Sequence, residues 1–149
     1  MQRPVLPNRI PRACKLGEKA TFTRTLTEGD VSLFIGATWD VNPFHTDEQF
    51  SSQTRFGRRI VPGLLTASLL THLGGLWNFL ATEMKFEFLA PVYIGDTVTA
   101  VATIAAADEK TGGVVLDCLI TNIEDVEVLR ATVTGFPGRF EDEESSVCP

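Results

Sequence analysis

The sequence places an aspartate and a histidine on either side of an Asn-Pro pair: Asp40 precedes Asn42-Pro43, and His45 follows it. On a continuous helix, residues five apart point roughly 140° away from each other, because each residue turns by about 100°. Pro43 argues against a continuous helix, since it lacks an N–H and its ring favours extended backbone at Asn42. We therefore predict that a helix arriving from Val31 ends near Asp40 and that both side chains face one pocket.

A carboxylate and an imidazole in one pocket can hold a water molecule between them. The carboxylate can accept a proton from this water while the imidazole carries out a second proton transfer, which suits the addition or removal of water. The alternative interpretation is an Asx-turn, in which Asp40 or Asn42 caps nearby backbone N–H groups and His45 lies at the surface.

Length and composition are those of a single globular domain. The chain has 149 residues, of which 44% are hydrophobic and 21% charged, enough to build a substantial core. No segment approaches the roughly 18 consecutive apolar residues of a membrane span. The N-terminus is interrupted by Pro4, Pro7 and Pro11 and lacks the apolar run of a signal peptide. We therefore expect a cytoplasmic protein without a membrane partner.

Cysteine content and net charge narrow the possible ligands. Cys14, Cys118 and Cys148 are odd in number and without CxxC spacing, which indicates a reducing compartment and predicts neither a disulfide framework nor a metal site. Cys118 is expected to be a small core residue. The formal net charge of −6 argues against nucleic acid as a partner.

The hydrophobic pattern predicts an irregular basic leader over residues 1–15, a domain over 16–135 and an acidic tail over 136–149. Within the domain, the pattern predicts a strand over 19–26, a short helix from Val31, a long apolar helix over 63–80, and strands over 84–90, 98–104, 114–122 and 126–134. This order predicts an α+β fold in which an antiparallel sheet wraps a central helix. A second copy of the chain would cover the sheet edge by continuing the sheet.

Several segments, in this order, resemble the MaoC-like dehydratase family, whose fold is the hot dog and whose best-known activity is (R)-specific enoyl-CoA hydration. The resemblance is carried by residues 29–30, 40–45, 59–69, 86–92 and 95–98. Several motifs in order are far more specific than one motif alone.

The resemblance implies particular roles for the residues of the Asp/His segment. Asp40 would draw a proton from water, His45 would be its partner in proton transfer at the neighbouring carbon, and Asn42 would fix the turn. It also implies a 2-enoyl thioester of coenzyme A as substrate and an (R)-3-hydroxyacyl thioester as product, as in fatty acid metabolism. No further cofactor is implied, and a homodimer is expected.

The reaction places negative charge on the thioester oxygen, so hydrogen-bond donors must already point there. The start of the long helix offers free N–H groups, and Gly63 has no side chain to block its amide. We therefore predict the Gly63 N–H as the oxyanion donor. Alternatively, Pro62-Gly63 merely opens the helix. The acyl chain is expected along this helix near Leu64, Leu65 and Trp77.

Arg55, Arg58 and Arg59 form the densest positive group in the chain and lie between the Asp/His segment and the long helix. They are candidates for binding the phosphates of coenzyme A, the alternative being a solvated basic loop. The remaining histidine, His72, is interpreted as a packed or partly exposed helix residue.

Two positions differ from the family pattern. Trp39 stands where the family usually has a small residue, so its indole is expected to contact substrate and narrow the pocket. Pro62 stands where a histidine often precedes the glycine. The alternatives to a hydratase are a hot-dog thioesterase and a non-catalytic acyl-binding subunit. Against the thioesterase, no acidic residue occurs between Gly63 and Leu80, where such enzymes generally carry their carboxylate.

Overall fold

The computed structural model describes residues 10–11, 15–137 and 140–141. The helices over these residues are α1 (Glu28–Thr38), α2 (Pro43–Thr46), α3 (Glu48–Ser52), α4 (Gly63–Ala67) and α5 (Leu69–Leu76). The strands are β1 (Ile10–Pro11), β2 (Lys19–Thr25), β3 (Leu80–Phe88), β4 (Thr97–Ala107), β5 (Val114–Asn122), β6 (Glu127–Phe136) and β7 (Phe140–Glu141).

Five strands form one antiparallel sheet in the order β2-β4-β5-β6-β3. On β4, residues alternate between half-exposed and fully buried positions, as the period-2 pattern predicts. Helix α5 packs on the buried face against β2 and β4. The predicted α+β arrangement, an antiparallel sheet around a central helix, is confirmed.

The predicted terminal segments lie mostly outside the described residues. Where the two ends are described, β1 pairs with β7 in a short antiparallel ladder that joins Ile10 to Glu141. Strand β6 continues to Phe136, which falls inside the segment predicted as tail. Cys14 and Cys148 also lie outside the described residues.

The prediction of one helix over 63–80 is wrong in its extent. The helix is divided at Ser68 into α4 and α5, and α5 ends at Leu76. Asn78 then has a φ of 48°, a left-handed conformation that asparagine tolerates better than most residues. The Phe79 N–H returns to the Gly74 carbonyl at 2.8 Å, so the chain reverses there and Leu80 already begins β3.

The core lies between the helix and the sheet. Trp77 is only 1% exposed, and its indole N–H donates to Glu18 Oε1 at 3.4 Å. Cys118 is buried on β5, as predicted, and burial raises the pKa of its thiol to about 12. A thiol with so high a pKa stays protonated near neutral pH and is a poor nucleophile. No helix among the described residues is long and apolar enough to span a bilayer.

Substitutions at a buried and an exposed position of α5 test this packing. Leu73→Ala should lower the free energy of unfolding by about 3 kcal/mol, because a buried leucine leaves a cavity when truncated, and Leu73 is 1% exposed. Leu76 is 56% exposed on the same helix, so Leu76→Ala should change the free energy of unfolding by only about 0.5 kcal/mol. Chemical denaturation of both variants measures the difference, and equal losses would contradict this orientation of α5.

Candidate active site

The end of α1 is set by a left-handed cap. Trp39 has φ 60° and ψ 25°, and its N–H donates to the Ile35 carbonyl. This conformation ends a helix by satisfying a carbonyl of its last turn and turning the chain aside. The chain therefore turns away from the axis of α1 at Asp40, near which the sequence predicts the helix to end.

The segment after Asp40 folds into the one-turn helix α2. The Asn42 side chain accepts a hydrogen bond from the Phe44 N–H at 3.2 Å, and Pro43 occupies the first turn. Both residue types are favoured at these helix positions. The Asn42 side chain thus caps a nearby backbone N–H, as the Asx interpretation describes. The surface position that this alternative gave to His45 is wrong, since the residue is 8% exposed.

The structure brings Asp40 and His45 together. The His45 Nε2 atom lies 3.8 Å from Asp40 Oδ2, with the histidine side chain 10% exposed and the aspartate side chain 39% exposed. This separation is too long for a direct hydrogen bond, but a single water can contact both atoms at about 2.8 Å each.

The opposite ring nitrogen of His45 is fixed by the main chain. Nδ1 lies 2.8 Å from the Ile60 carbonyl oxygen, which can only accept a hydrogen bond, so Nδ1 carries a proton. In neutral imidazole the other nitrogen is then an acceptor. The Ile60 carbonyl therefore directs the lone pair of Nε2 towards Asp40.

A cavity of about 240 Å³ opens beside His45, and Asp40 is not one of its lining residues. Its walls come from α2, the loop before α4, the start of α4 and the end of β3 with the following loop. The lining residues are His45, Arg55, Phe56, Ile60, Val61, Gly63, Thr66, Phe88, Leu89, Ala90, Pro91, Val92 and Val128. His45 and the predicted oxyanion donor Gly63 thus share one largely apolar cavity.

Gly63 is required by a close approach. A Cβ atom added there would lie 2.8 Å from Phe88 Cε1 and 3.0 Å from Phe88 Cδ1, which is closer than carbon atoms pack. Within the described part of the chain, no side chain caps the start of α4 at Pro62. The glycine therefore allows both the aromatic ring and the first amides of the helix to border the cavity.

The three arginines have different surroundings. Arg55 lines the cavity and lies over the Phe56 ring at 4.8 Å. Arg58 lies over the Tyr93 ring at 4.1 Å, and its Nη2 is 3.8 Å from Asp96 Oδ1. Contact with substrate phosphates remains a prediction, and in this single chain only Arg55 of the three borders the cavity.

Arg59 points instead to the protein's own carboxylates. Its guanidinium contacts Glu28 at 2.7 and 3.0 Å and Glu48 at 3.2 Å. Its hydrogen bonds to Glu28 raise the pKa of the guanidinium further above its ordinary value, so Arg59 is charged at every physiological pH.

The other predicted substrate contacts lie away from the described cavity. Trp39 is 84% exposed and Leu64 is 58% exposed, and neither is a lining residue of the cavity. Trp77, expected beside the acyl chain, belongs to the buried core. His72 is exposed and stacks on Phe22 with ring centroids 4.0 Å apart, so its interpretation as a packed or partly exposed helix residue is confirmed.

A second apolar cavity, of about 160 Å³, lies further along the central helix beside α5. Its lining residues are Leu70, Thr71, Leu73, Gly74, Phe79, Leu80, Ala81, Met84, Ala102, Leu116, Cys118 and Val133. From α5, this cavity is lined by residues that include Thr71 and Gly74, whereas Leu64 of α4 does not line it.

Sequence reasoning missed the residues that hold the pair in place. Ile60 acts through its backbone carbonyl, for which side-chain identity gives no signal. The cavity residues Thr66 and Phe88, in contrast, lie in segments that the sequence had already indicated. Thr66 lies one helical turn after Gly63, and Phe88 ends the strand predicted over 84–90.

Known proteins with curated functions resemble this chain over most of the domain. An (R)-specific enoyl-CoA hydratase of Rhodospirillum rubrum is 36% identical over 94 residues, which are 60% of this chain and 65% of that protein. An enzyme of the same name from Aeromonas caviae is 32% identical over 102 residues, which are 66% of this chain and 76% of the relative. The match thus spans slightly less than two thirds of the first relative's length.

Solved structures share the fold. The (R)-hydratase from A. caviae involved in PHA biosynthesis superposes with a TM-score of 0.80 at 27% identity, covering 85% of this chain and 98% of that one. An R-hydratase from Pseudomonas aeruginosa gives a TM-score of 0.80 at 24% identity, covering 95% of both chains, and shows the fold alone. The hot-dog architecture predicted from the sequence is confirmed.

The family assignment rests on a match over three quarters of the sequence. The sequence model of the MaoC like domain matches residues 13–124, a range that includes Asp40, His45 and Gly63. The chain is a member of the MaoC-like family.

Proposed function

We propose that this protein interconverts 2-enoyl thioesters and (R)-3-hydroxyacyl thioesters by adding or removing water. The observation that carries the proposal is the 3.8 Å approach of His45 Nε2 to Asp40 Oδ2 beside a cavity that the Gly63 backbone also borders. The names of the relatives, (R)-specific enoyl-CoA hydratase and 3-hydroxybutyryl-CoA dehydratase, support the same reaction class.

In the proposed hydration, one proton is taken from water and one is given to the substrate. The water oxygen bonds to C3 of the enoyl group while Asp40 accepts a proton from that water. The electron pair of the C2=C3 bond moves towards the thioester, and C2 receives a proton from Nε2 of protonated His45. A proton transfer from Asp40 to His45 through a water that contacts both side chains then restores the pair. Dehydration is the reverse, and neither direction changes an oxidation state or requires a redox cofactor.

The hydrogen bond to Ile60 supports this assignment of roles. Because Nδ1–H is held by the Ile60 carbonyl at 2.8 Å, proton exchange with the site is left to Nε2. The ring also cannot rotate without breaking that bond. Asp40, whose side chain is more exposed than that of His45, remains reachable by solvent water, which suits a base that activates it.

The negative charge that develops on the thioester oxygen needs a hydrogen-bond donor on the side of the substrate opposite the Asp40–His45 pair. We assign this role to the Gly63 N–H, because the amides at the start of a helix are directed outward and carry the positive end of the helix dipole. A donor fixed by the backbone costs no reorganisation during the reaction. Arg55, at the edge of the cavity, is the arginine best placed for the phosphates of coenzyme A.

We further infer that the working form is a homodimer. Strand β3 lies at the edge of the five-stranded sheet, and it exposes 75% of Leu80, 45% of Met84 and 55% of Phe88. Unpaired edge strands with apolar side chains favour pairing with another chain. Antiparallel pairing of β3 with the same strand of a second copy satisfies both the backbone groups and these side chains.

Turnover with a simple thioester tests the reaction class. Purified protein incubated with crotonyl-CoA should remove the enoyl absorbance without releasing free thiol. Asp40→Asn and His45→Ala should each lower kcat by at least about 100-fold, the usual contribution of an acid–base group, while both variants stay folded at the assay temperature. Thiol release would indicate a thioesterase instead, and unchanged turnover in both variants would overturn the mechanism.

The oxyanion assignment is tested by adding a methyl group at Gly63. Gly63→Ala should lower kcat/KM by about 10-fold or more, because its Cβ occupies the space beside the amide that a thioester oxygen must approach. Gly75→Ala is the matched control on the neighbouring helix, since a Cβ there meets no atom within 4 Å.

A double variant separates the two effects of that methyl group. In Gly63→Ala/Phe88→Ala the clash with the ring is removed but the methyl beside the amide remains. Activity should therefore stay low. Recovery to the level of Phe88→Ala alone would show that displacement of the ring, and not access to the amide, caused the loss.

The proposed dimer is tested by its mass in solution. Light scattering should give twice the chain mass of 16.3 kDa. Met84→Asp places a charge in the proposed strand pairing and should shift the mass towards one chain, because burying an unpaired carboxylate is strongly unfavourable. Leu33→Asp is the control, because Leu33 is 76% exposed on α1 and lies outside β3. A single-chain mass for the unmodified protein would contradict the dimer.

A further inference from the structure

Arg59 joins three separate pieces of the structure. Its Nη atoms form a two-pronged contact with the Glu28 carboxylate at 2.7 and 3.0 Å. Its Nε donates to Glu48 Oε2 at 3.2 Å, and Nη1 also donates to the His45 carbonyl oxygen at 3.3 Å. A planar guanidinium with several fixed donors is suited to holding groups at set distances from each other.

These contacts leave Arg59 poorly suited to bind substrate phosphates. They use four donor directions of the five N–H donors in a guanidinium. The side chain is 23% exposed, compared with 56% for Arg58. To bind Arg59, a phosphate would have to displace Glu28 or Glu48, whose carboxylates already neutralise the positive charge of the guanidinium.

The elements that Arg59 connects are those that carry the Asp40–His45 pair. Glu28 is the first residue of α1, the helix that leads to Asp40. Glu48 is the first residue of α3, which is separated from the His45 helix only by the shared cap residue Asp47. The guanidinium therefore links α1, which leads to Asp40, to the α2–α3 segment, which carries His45.

The residue after Arg59 completes the support of His45. The Ile60 carbonyl binds the His45 ring at Nδ1, and the Ile60 N–H donates to the Phe44 carbonyl at 3.1 Å. The dipeptide at 59–60 thus holds the main chain of α2 at two adjacent carbonyls and the imidazole at one nitrogen. Because Arg59 and Ile60 are adjacent, loss of the Arg59 contacts should also loosen the hold of the Ile60 carbonyl on the ring.

We propose that Arg59 is a positioning residue, whose guanidinium sets the separation between Asp40 and His45 by tying α1 to the α2–α3 segment. This inference rests on the proposed function for its kinetic consequences. It replaces the expectation that Arg59 binds substrate phosphates, while Arg55 keeps that role. Exposed ion pairs add little stability individually, so the main effect of Arg59 is on geometry.

Two substrates distinguish positioning from phosphate binding. Crotonyl-CoA carries the phosphates, whereas the crotonyl thioester of N-acetylcysteamine lacks them. Arg59→Met should lower kcat by up to about 100-fold with both substrates, the scale expected when reacting groups are misplaced by about 1 Å. The KM for crotonyl-CoA should change little. A loss confined to KM for crotonyl-CoA would overturn the inference in favour of phosphate binding.

Two further variants separate positioning from charge and from stability. Arg59→Lys keeps the charge but not the two-pronged geometry, so it should restore only part of kcat. Arg24→Met is the matched control, because Arg24 pairs with Asp30 on the first turn of α1 but does not contact the His45 segment. It should leave kcat unchanged. Full activity in Arg59→Lys, or equal losses in Arg59→Met and Arg24→Met, would contradict positioning.

A measurement without substrate separates this inference from the proposed function. In a His72→Gln background, His45 is the remaining histidine of the chain, and its ring ¹⁵N resonances report which nitrogen carries the proton. The parent should give a single Nδ1–H tautomer in neutral imidazole. Arg59→Met should give a mixture of tautomers, and Arg24→Met should not.

The two measurements can fail separately. If the unmodified protein hydrates no enoyl thioester but Arg59→Met mixes the tautomers, the proposed function is wrong and the positioning of His45 stands. If the protein is active and Arg59→Met alters neither kcat nor the tautomer, the positioning inference is wrong and the function stands.

Discussion

The hydrogen bond from His45 Nδ1 to the Ile60 carbonyl is the contact on which the candidate site depends. It gives the Nδ1 atom of a buried imidazole a hydrogen-bond partner in a largely apolar wall, and it decides which nitrogen faces Asp40. Without it, the ring has two tautomers and two orientations, and only one combination presents an available Nε2 to the carboxylate. The main chain, which cannot change protonation state, thereby determines the protonation pattern of the side chain.

That contact requires distant parts of the chain to meet. Ile60 is held in turn by β-bridge pairing with Tyr93 and by the neighbouring strand-like contact of Val61 with Val92. The loop before the central helix is thus anchored to the loop between β3 and β4. The site is built where these loops cross the opening between helix and sheet, so its geometry depends on the whole fold and not on the Asp/His segment alone.

The sequence could predict the parts of the site that depend on local chemistry. Proline at 43 excludes a continuous helix, which is why the convergence of Asp40 and His45 followed from residue types alone. The end of the central helix was missed although Gly74-Gly75 and Asn78 are residues that often end helices. The short helix α2 was also missed, because Asn42 and Pro43 were interpreted as a turn and not as the cap and first residue of a helix. The partners of Arg59 had no such signal, since Glu28 lies 31 positions away.

The left-handed cap at the end of α1 leaves Trp39 exposed, so that its fluorescence can be distinguished from that of Trp77. The chain has two tryptophans, and their environments are opposite: Trp39 is 84% exposed, whereas Trp77 is 1% exposed. Water-soluble quenchers reach the first and not the second, so the fluorescence of the folded protein divides into two separable components. Since Trp39 adjoins Asp40 in the chain, its component reports on the end of α1, while that of Trp77 follows the integrity of the core.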